Sequence, residues 1–278
     1  MRTVYKSLRF FFLFTVLTVL TQIGGVVYVV YQLLANFLVK NQRSGWRLSL
    51  QKLAIFSSIY LLATFALVPM LAKIGGRVPL PHRATKQFPL AAHTKLTILL
   101  NRHYVRPELK ESIRRISIKY REHYPEFPLV YLDANFPFLD GFPLLPHRSH
   151  DDGKKLDIAF TYRKMPDQKL VKKLPILTGY GRFEMPQKGE FNQAASCQKG
   201  GHWQYSILGK FVSSRPKNKY LFDAKRNKKL CQIIANDPAI RKIFIEPHLV
   251  KRLKLTSKKF RFHGCKAVRH DDHIHLQL

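Results

Sequence analysis

Two groups of histidines stand out because their neighbours are the residue types that hold metal ions. The first is His147-Arg-Ser-His150-Asp-Asp-Gly-Lys-Lys-Leu-Asp157. The second closes the chain as His270-Asp-Asp-His273-Ile-His275-Leu-Gln-Leu278. Imidazole and carboxylate together make the donor set of a zinc-type site, whereas calcium and magnesium prefer shells of oxygen alone. Neither group is a site by itself. They must meet, and the elements that carry them decide whether they can.

In the first group, Asp152-Gly153 is a turn signal, followed by a strand-like run from Leu156 to Tyr162. Alternate side chains of a strand share a face, so Leu156, Ile158 and Phe160 point to the core while Asp157, Ala159 and Thr161 point away from it. The turn folds His150 back towards Asp157. In the second group a strand places His273 and His275 on one face, with Ile274 and Leu276 opposite. Two imidazoles so placed can divide the work, one binding metal and the other handling protons or a developing oxyanion.

The pattern Ser149-His150-x-x-Gly153-x-x-x-Asp157-Ile158, with His270-Asp271-x-His273-x-His275 far downstream, resembles the penicillin-insensitive murein endopeptidase family. That family belongs to the lysostaphin / D-Ala-D-Ala peptidase / sonic hedgehog superfamily of zinc folds. The likeness covers roughly residues 129–162 and 237–278, including the segment Asp237 to Pro247 between the clusters. It implies that His150, Asp157 and His275 ligate zinc, that His273 is the catalytic histidine, that His270 supports it, and that His147 is a further partner of the metal group. Lys155 departs from the pattern, standing where close relatives carry an acidic residue. The implied activity is hydrolysis of peptide bonds in peptidoglycan stem peptides or cross-links, on a bacterial inner membrane with the catalytic domain facing the periplasm. A D,D-carboxypeptidase of the same superfamily and a non-catalytic zinc-containing wall-binding protein are the rival expectations.

The chain has 278 residues and carries 48 Lys and Arg against 17 Asp and Glu, a formal charge of +31. Residues 1–87 contain no Asp or Glu. Such a surface attracts anions, and the partners expected are wall peptides and anionic membrane lipids. Nucleic acid is not expected, because no recognised motif or interleaving of aromatic and basic residues accompanies the charge. Three cysteines, Cys197, Cys231 and Cys265, are too few for a disulfide framework and leave pairing open.

An apolar stretch from about residue 10 to 39 and another from 53 to 72 are each of the length a spanning helix needs, about 20 residues. They predict a two-span membrane anchor over 1–72. The loop between them carries Lys40, Arg43, Arg47 and Lys52, and the N-terminal tail carries Arg2, Lys6 and Arg9, so the charge rule for orientation is tied. Location of the wall then predicts both termini outside and the loop in the cytoplasm. Residues 73–90, rich in Gly, Pro and basic residues, predict a linker. Residues 91–278 predict an α+β zinc peptidase-like domain, a small antiparallel sheet with flanking helices. Within it a helix is expected from Pro107 to about Tyr124, with Leu109, Ile113, Ile116 and Tyr120 on one face. Short strands are expected at 128–132 and 242–246, and nothing definite over 163–230.

Overall fold

The structure, a computed structural model, describes residues 2–38, 45–173, 175–206 and 219–278. It is mixed α+β, with apolar helices first. The first apolar run is not one helix. It divides at Gln22, whose φ of 65° no helix accommodates, into α1 (Arg2–Thr21) and α2 (Gly24–Leu38). The helices run antiparallel: the Phe10 ring meets Tyr28 at 5.5 Å, while Gly25 lies against Phe14 and Thr18. Gly25 permits that approach, since a Cβ there would sit 2.0 Å from Thr18 Oγ1. Lys40 and Arg43, in the loop that follows, lie outside the described residues.

The second apolar run is α3 (Trp46–Leu62), a π turn over Ala63–Leu67, and α4 (Val68–Ile74). Pro69 has no N–H to give the preceding turn, and the backbone widens there. α3 runs antiparallel to α2, because Tyr31 meets Phe56 at 5.7 Å while Ile23 and Val27 pack with Ala63, Val68 and Ala72. Among the described residues, two helices are long and apolar enough to cross a membrane, Val4–Thr21 and Trp46–Ile74. Little of either is buried, and Phe11, Phe12, Leu53, Leu62 and Met70 are exposed.

The 73–90 segment is docked rather than slack. β1 (Val78–Pro79) pairs with β3 (Tyr104–Val105), and Leu80 is buried in the core. Arg77 is fully buried, donating to the Phe136 carbonyl, Asp140 and the Asp151 carbonyl. Its guanidinium fork has more donors than a flexible linker could satisfy, and their partners lie on the domain.

The main sheet has six strands in the order β10-β9-β11-β5-β4-β2, formed by β2 (Leu90–Ala92), β4 (Leu129–Tyr131), β5 (Lys155–Ala159), β9 (Lys242–Phe244), β10 (Phe260–Arg261) and β11 (His273–Gln277). It is mixed rather than antiparallel. The four central strands pair antiparallel, but β2 joins β4 and β10 joins β9 in parallel, each after a long crossover. The crossover from β2 contains α5 (Lys95–Leu99) and α6 (Pro107–His123), and α6 buries Leu109, Ile113, Ile116 and Tyr120 as its periodicity requires. The 163–230 region supplies a separate three-stranded sheet, β6 (Tyr162–Lys164), β7 (Lys169–Leu170) and β8 (Tyr220–Phe222), with α7 (Gln193–Lys199) and α8 (Trp203–Ser206). α9 (Ala224–Asn236) places Leu230, Cys231 and Ile234 in the core beside α6, and α10 (Pro247–Arg252) adds Leu249. One face of β5 and β11 therefore meets the apolar core through Leu156, Ile158, Ile274 and Leu276. The other face is free for chemistry.

Candidate metal centre

β5 and β11 are antiparallel neighbours, and their register sets His275 opposite Asp157 and His273 opposite Ala159. Residues directly opposite in such a pair project on the same face, with Cβ atoms about 5 Å apart. Asp157, His273 and His275 thus converge because alternation and register agree. His150 arrives from the loop before β5. The His150 backbone N–H donates to the His147 carbonyl (2.9 Å), making a tight turn that sets the two rings 5.5 Å apart. Gly153 then reverses the chain at φ 80°, close against Arg106, where a Cβ would come within 3.1 Å. Asn135 holds this turn, accepting from the Gly153 N–H and donating to the Lys155 carbonyl.

His147, His150 and Asp157 are buried and bring one ligand atom each within 4.8 Å of one another, a group that could hold a metal ion. A tighter triangle shares two of them. His150 Nε2 is 3.0 Å from His275 Nδ1 and 3.2 Å from Asp157 Oδ1, and His275 Nδ1 is 2.9 Å from the same oxygen. His273 Nε2 faces that oxygen from 3.6 Å. His147 instead takes the second carboxylate oxygen, with Nδ1 2.5 Å from Oδ2.

The supports around these groups fix which nitrogen is free. His150 Nδ1 donates to the Ala134 carbonyl (2.5 Å), which leaves Nε2 as a lone pair turned to the centre. His273 Nδ1 donates to Asp272 Oδ1 (2.5 Å), which leaves its buried Nε2 without a hydrogen-bond partner. His275 Nε2, the nitrogen of that ring outside the triangle, is buried and also has no hydrogen-bond partner among the described residues. A buried imidazole nitrogen such as His273 Nε2, facing a carboxylate oxygen with no hydrogen-bond partner among the described residues, is what a site shaped for a cation would leave when hydrogen bonds alone are counted. The residues fit a metal.

Burial and neighbouring charge act differently on each group. Burial would raise Asp157, but His150, His273 and His147 outweigh it and hold the carboxyl well below its ordinary value. Burial would lower His273, but Asp157 and Asp272 push it up to about 9. His275 goes the other way, to about 3, because burial exceeds the attraction of Asp157. Burial and the neighbouring histidines hold His270 well below the usual range. Its ring lies 5.0 Å from His273 and 5.5 Å from His275, an approach through ring contact.

All six expected residues, His147, His150, Asp157, His270, His273 and His275, are therefore buried in one cluster. Three further participants had no periodic signal. The Tyr180 hydroxyl donates to Asp157 Oδ2 (2.7 Å) while accepting from the Asp133 backbone N–H (3.2 Å). His263 stacks on Phe244 at 4.0 Å and stands 5.3 Å from His270. Glu246, just after β9, is buried, accepting from Tyr205 and from the His270 backbone N–H. Asp272 was visible in the sequence, but only the folded chain shows it tethering His273.

A cavity of ≈ 250 Å³ opens beside His147 and His273. Leu96, Leu100 and Phe183 give it apolar walls, and Arg102 and Arg269 bring positive charge. Arg269 is neutralised by a bidentate pairing with Asp271. Arg102 makes a long 3.5 Å contact with Asp133 and lies over the Phe136 ring, and its buried Nε lacks a hydrogen-bond partner among the described residues. A disulfide joins Cys197 to Cys265, leaving Cys231 as a buried free thiol. Neither a protein-family model nor a curated protein matches this chain.

Proposed function

We propose that this chain is a zinc metallopeptidase anchored in a bacterial inner membrane, cutting peptide bonds of peptidoglycan stem peptides or cross-links outside the cytoplasm. The observation that carries the reading is the triangle of His150 Nε2, Asp157 Oδ1 and His275 Nδ1, closed to about 3 Å on every edge and faced by a free His273 nitrogen. Mixed nitrogen and carboxylate ligands favour zinc over magnesium or calcium. Zinc with three protein ligands supplies hydroxide near neutral pH and polarises a carbonyl. Within that arrangement His150, Asp157 and His275 hold the ion, while His147 and Tyr180 orient Asp157 through its other oxygen. His273, anchored by Asp272, holds or moves a proton at Nε2, or donates from it to a developing oxyanion. The cavity beside His147 and His273 is the place for the peptide.

The membrane reading has its own support. α1, α2 and α3 alternate in direction, and we read the 15-residue α2 as a third, shorter crossing beside the two helices long enough to span. Lys6, Arg9 and Lys52 line one cavity at one end of this bundle. The α1–α2 turn is at the other end, where Gln22 Oε1 accepts from the Phe138 backbone N–H of the domain (2.8 Å). The tie between tail and loop disappears, because both sets of charge share an end. Positive residues stay inside. The N-terminus is then cytoplasmic and the domain outside, which replaces the expectation of both termini outside. The Cys197–Cys265 disulfide suits an oxidising compartment.

The test is digestion of purified wall fragments by the full chain in detergent, because Arg77 and β1 belong to the domain and a truncation at residue 88 would remove them. Products that vanish with chelator and return with zinc are expected, and His273→Ala is expected to lose about 100-fold or more in rate while keeping its metal. Activity that ignores both chelator and His273→Ala would overturn the reading. Arg102 favours a second reading, a carboxypeptidase whose substrate presents a free carboxylate to that guanidinium. Product masses decide: release of single terminal residues gives the second reading, and cut cross-links the first.

A further inference from the structure

A cavity of ≈ 1290 Å³ opens between α1, α2 and α3 at the end of the bundle away from the domain. At the domain end the helices close, with Ile23, Val27, Ala63, Val68 and Ala72 packed together. Towards the other end they part. The walls there are aromatic and aliphatic, with Phe10, Tyr28, Tyr31 and Phe56 in ring contact, and Gln32 donates to the Tyr28 hydroxyl (2.7 Å). The mouth carries Lys6, Arg9 and Lys52, all exposed. No acidic residue occurs anywhere in residues 1–87, so the sequence offers these cations no partner within the anchor.

We propose that this cavity binds one anionic membrane phospholipid, its phosphate held by Lys6, Arg9 and Lys52 and an acyl chain lying between the helices. Charge complementarity selects the head group, since three cations without acids need an anion from elsewhere. The wall chemistry selects a lipid rather than a soluble phosphate, because an apolar space of this size inside a bilayer is filled by hydrocarbon. The Tyr28–Gln32 pair adds polar atoms beside the chain, where the ester linkages of a lipid can hydrogen-bond. The positive-inside orientation assigns the lipid to the cytoplasmic leaflet.

The experiment uses the full chain in nanodiscs of equal phosphatidylglycerol and phosphatidylcholine, followed by mild detergent extraction and mass spectrometry of the lipid retained. Retained phosphatidylglycerol is expected to exceed phosphatidylcholine by about tenfold or more. The variant K6Q/R9Q/K52Q should bring that ratio to within about twofold of the bulk. Ala35→Trp, which fills the cavity and leaves the cations, should lower retention of both lipids. Retention of both in the bulk ratio by the unaltered protein would overturn the proposal. So would enrichment that survives K6Q/R9Q/K52Q, or a dimer whose cavity holds no lipid. Size-exclusion profile and circular dichroism report folding of each variant. The lipid ratio is readable whether or not wall fragments are cut, so failure here and failure of the peptidase reading are separate results.

Discussion

The two faces of the β5–β11 pair are equally hidden from water and opposite in chemistry. Leu156, Ile158, Ile274 and Leu276 are 0% exposed on one face, while Asp157, His273 and His275 are no more than 2% exposed on the other. The apolar face is held by area, which is non-directional, so a neighbour of similar size can replace what is lost. The site face is held by single partners: one Ala134 carbonyl for His150, one Asp272 oxygen for His273, two Asp157 oxygens shared among four groups. Equal burial therefore does not mean equal tolerance. Asp157→Ala removes the acceptor common to the whole cluster and should cost about 3–5 kcal/mol, as for a broken buried pair, together with all metal binding. Ile158→Ala should cost a comparable 2–5 kcal/mol through its cavity and yet leave bound metal unchanged. Denaturant melts paired with metal analysis separate the two, and metal loss in Ile158→Ala would erase the contrast.

That contrast was half legible in the sequence. Period-two alternation assigned Leu156 and Ile158 to one face and Asp157 to the other, and the same rule placed His273 with His275. The register that sets His275 opposite Asp157 was not readable, because it depends on which strands are neighbours, and β11 follows β5 by more than a hundred residues. Tyr180 was hidden for a different reason. It lies in an irregular segment, and only Gly179 hints at it: φ is +85° there, and a Cβ would fall 2.4 Å from Leu132 Cδ2. The anchor misled through its evenness. Hydropathy runs nearly unbroken across Gln22, so a hairpin read as one span, although Gly24-Gly25 carried the close approach. The mixed sheet was missed because parallel edge strands of two or three residues have too little length for any pattern.

Tyr180 sharpens the comparison at smaller scale, since it belongs to the site face without touching the triangle's nitrogens. Its hydroxyl orients Asp157 through Oδ2. Tyr180→Phe keeps the ring against His147 and His273 and deletes two hydrogen bonds, the one given to Asp157 and the one accepted from the Asp133 N–H. Loss of an outer partner of this kind weakens metal affinity about 10- to 100-fold, with about 1 kcal/mol in stability. Competition with a chelator of known affinity measures the first effect. An unchanged affinity would mean that His147 alone fixes the carboxylate.

The smallest effect concerns a buried histidine outside the site. His103 is as hidden as His273, but the dominant influence on it is burial, with His82 adding to the depression, and its pKa falls to about 3. His273 is pushed up to about 9 although burial opposes it, because two carboxylates answer its charge. Burial acts downward on every ring: Asp157 and Asp272 together overcome it at His273, Asp157 does not at His275, and no carboxylate opposes it at His103. For His103 the folded value lies below the unfolded one of about 6.5, so the unfolded chain binds the proton first as pH falls. Its contribution is complete above about pH 6.5 and is lost progressively from there towards about pH 3. His103→Phe removes that titration and keeps a flat ring against Tyr104, whose own ring is 4.5 Å away. The variant should lose about 1 kcal/mol less than the unaltered chain between pH 7.5 and 5.5. Parallel stability curves for the two proteins over that interval would show that this imidazole is protonated in the folded state, and that depth alone does not hold it neutral.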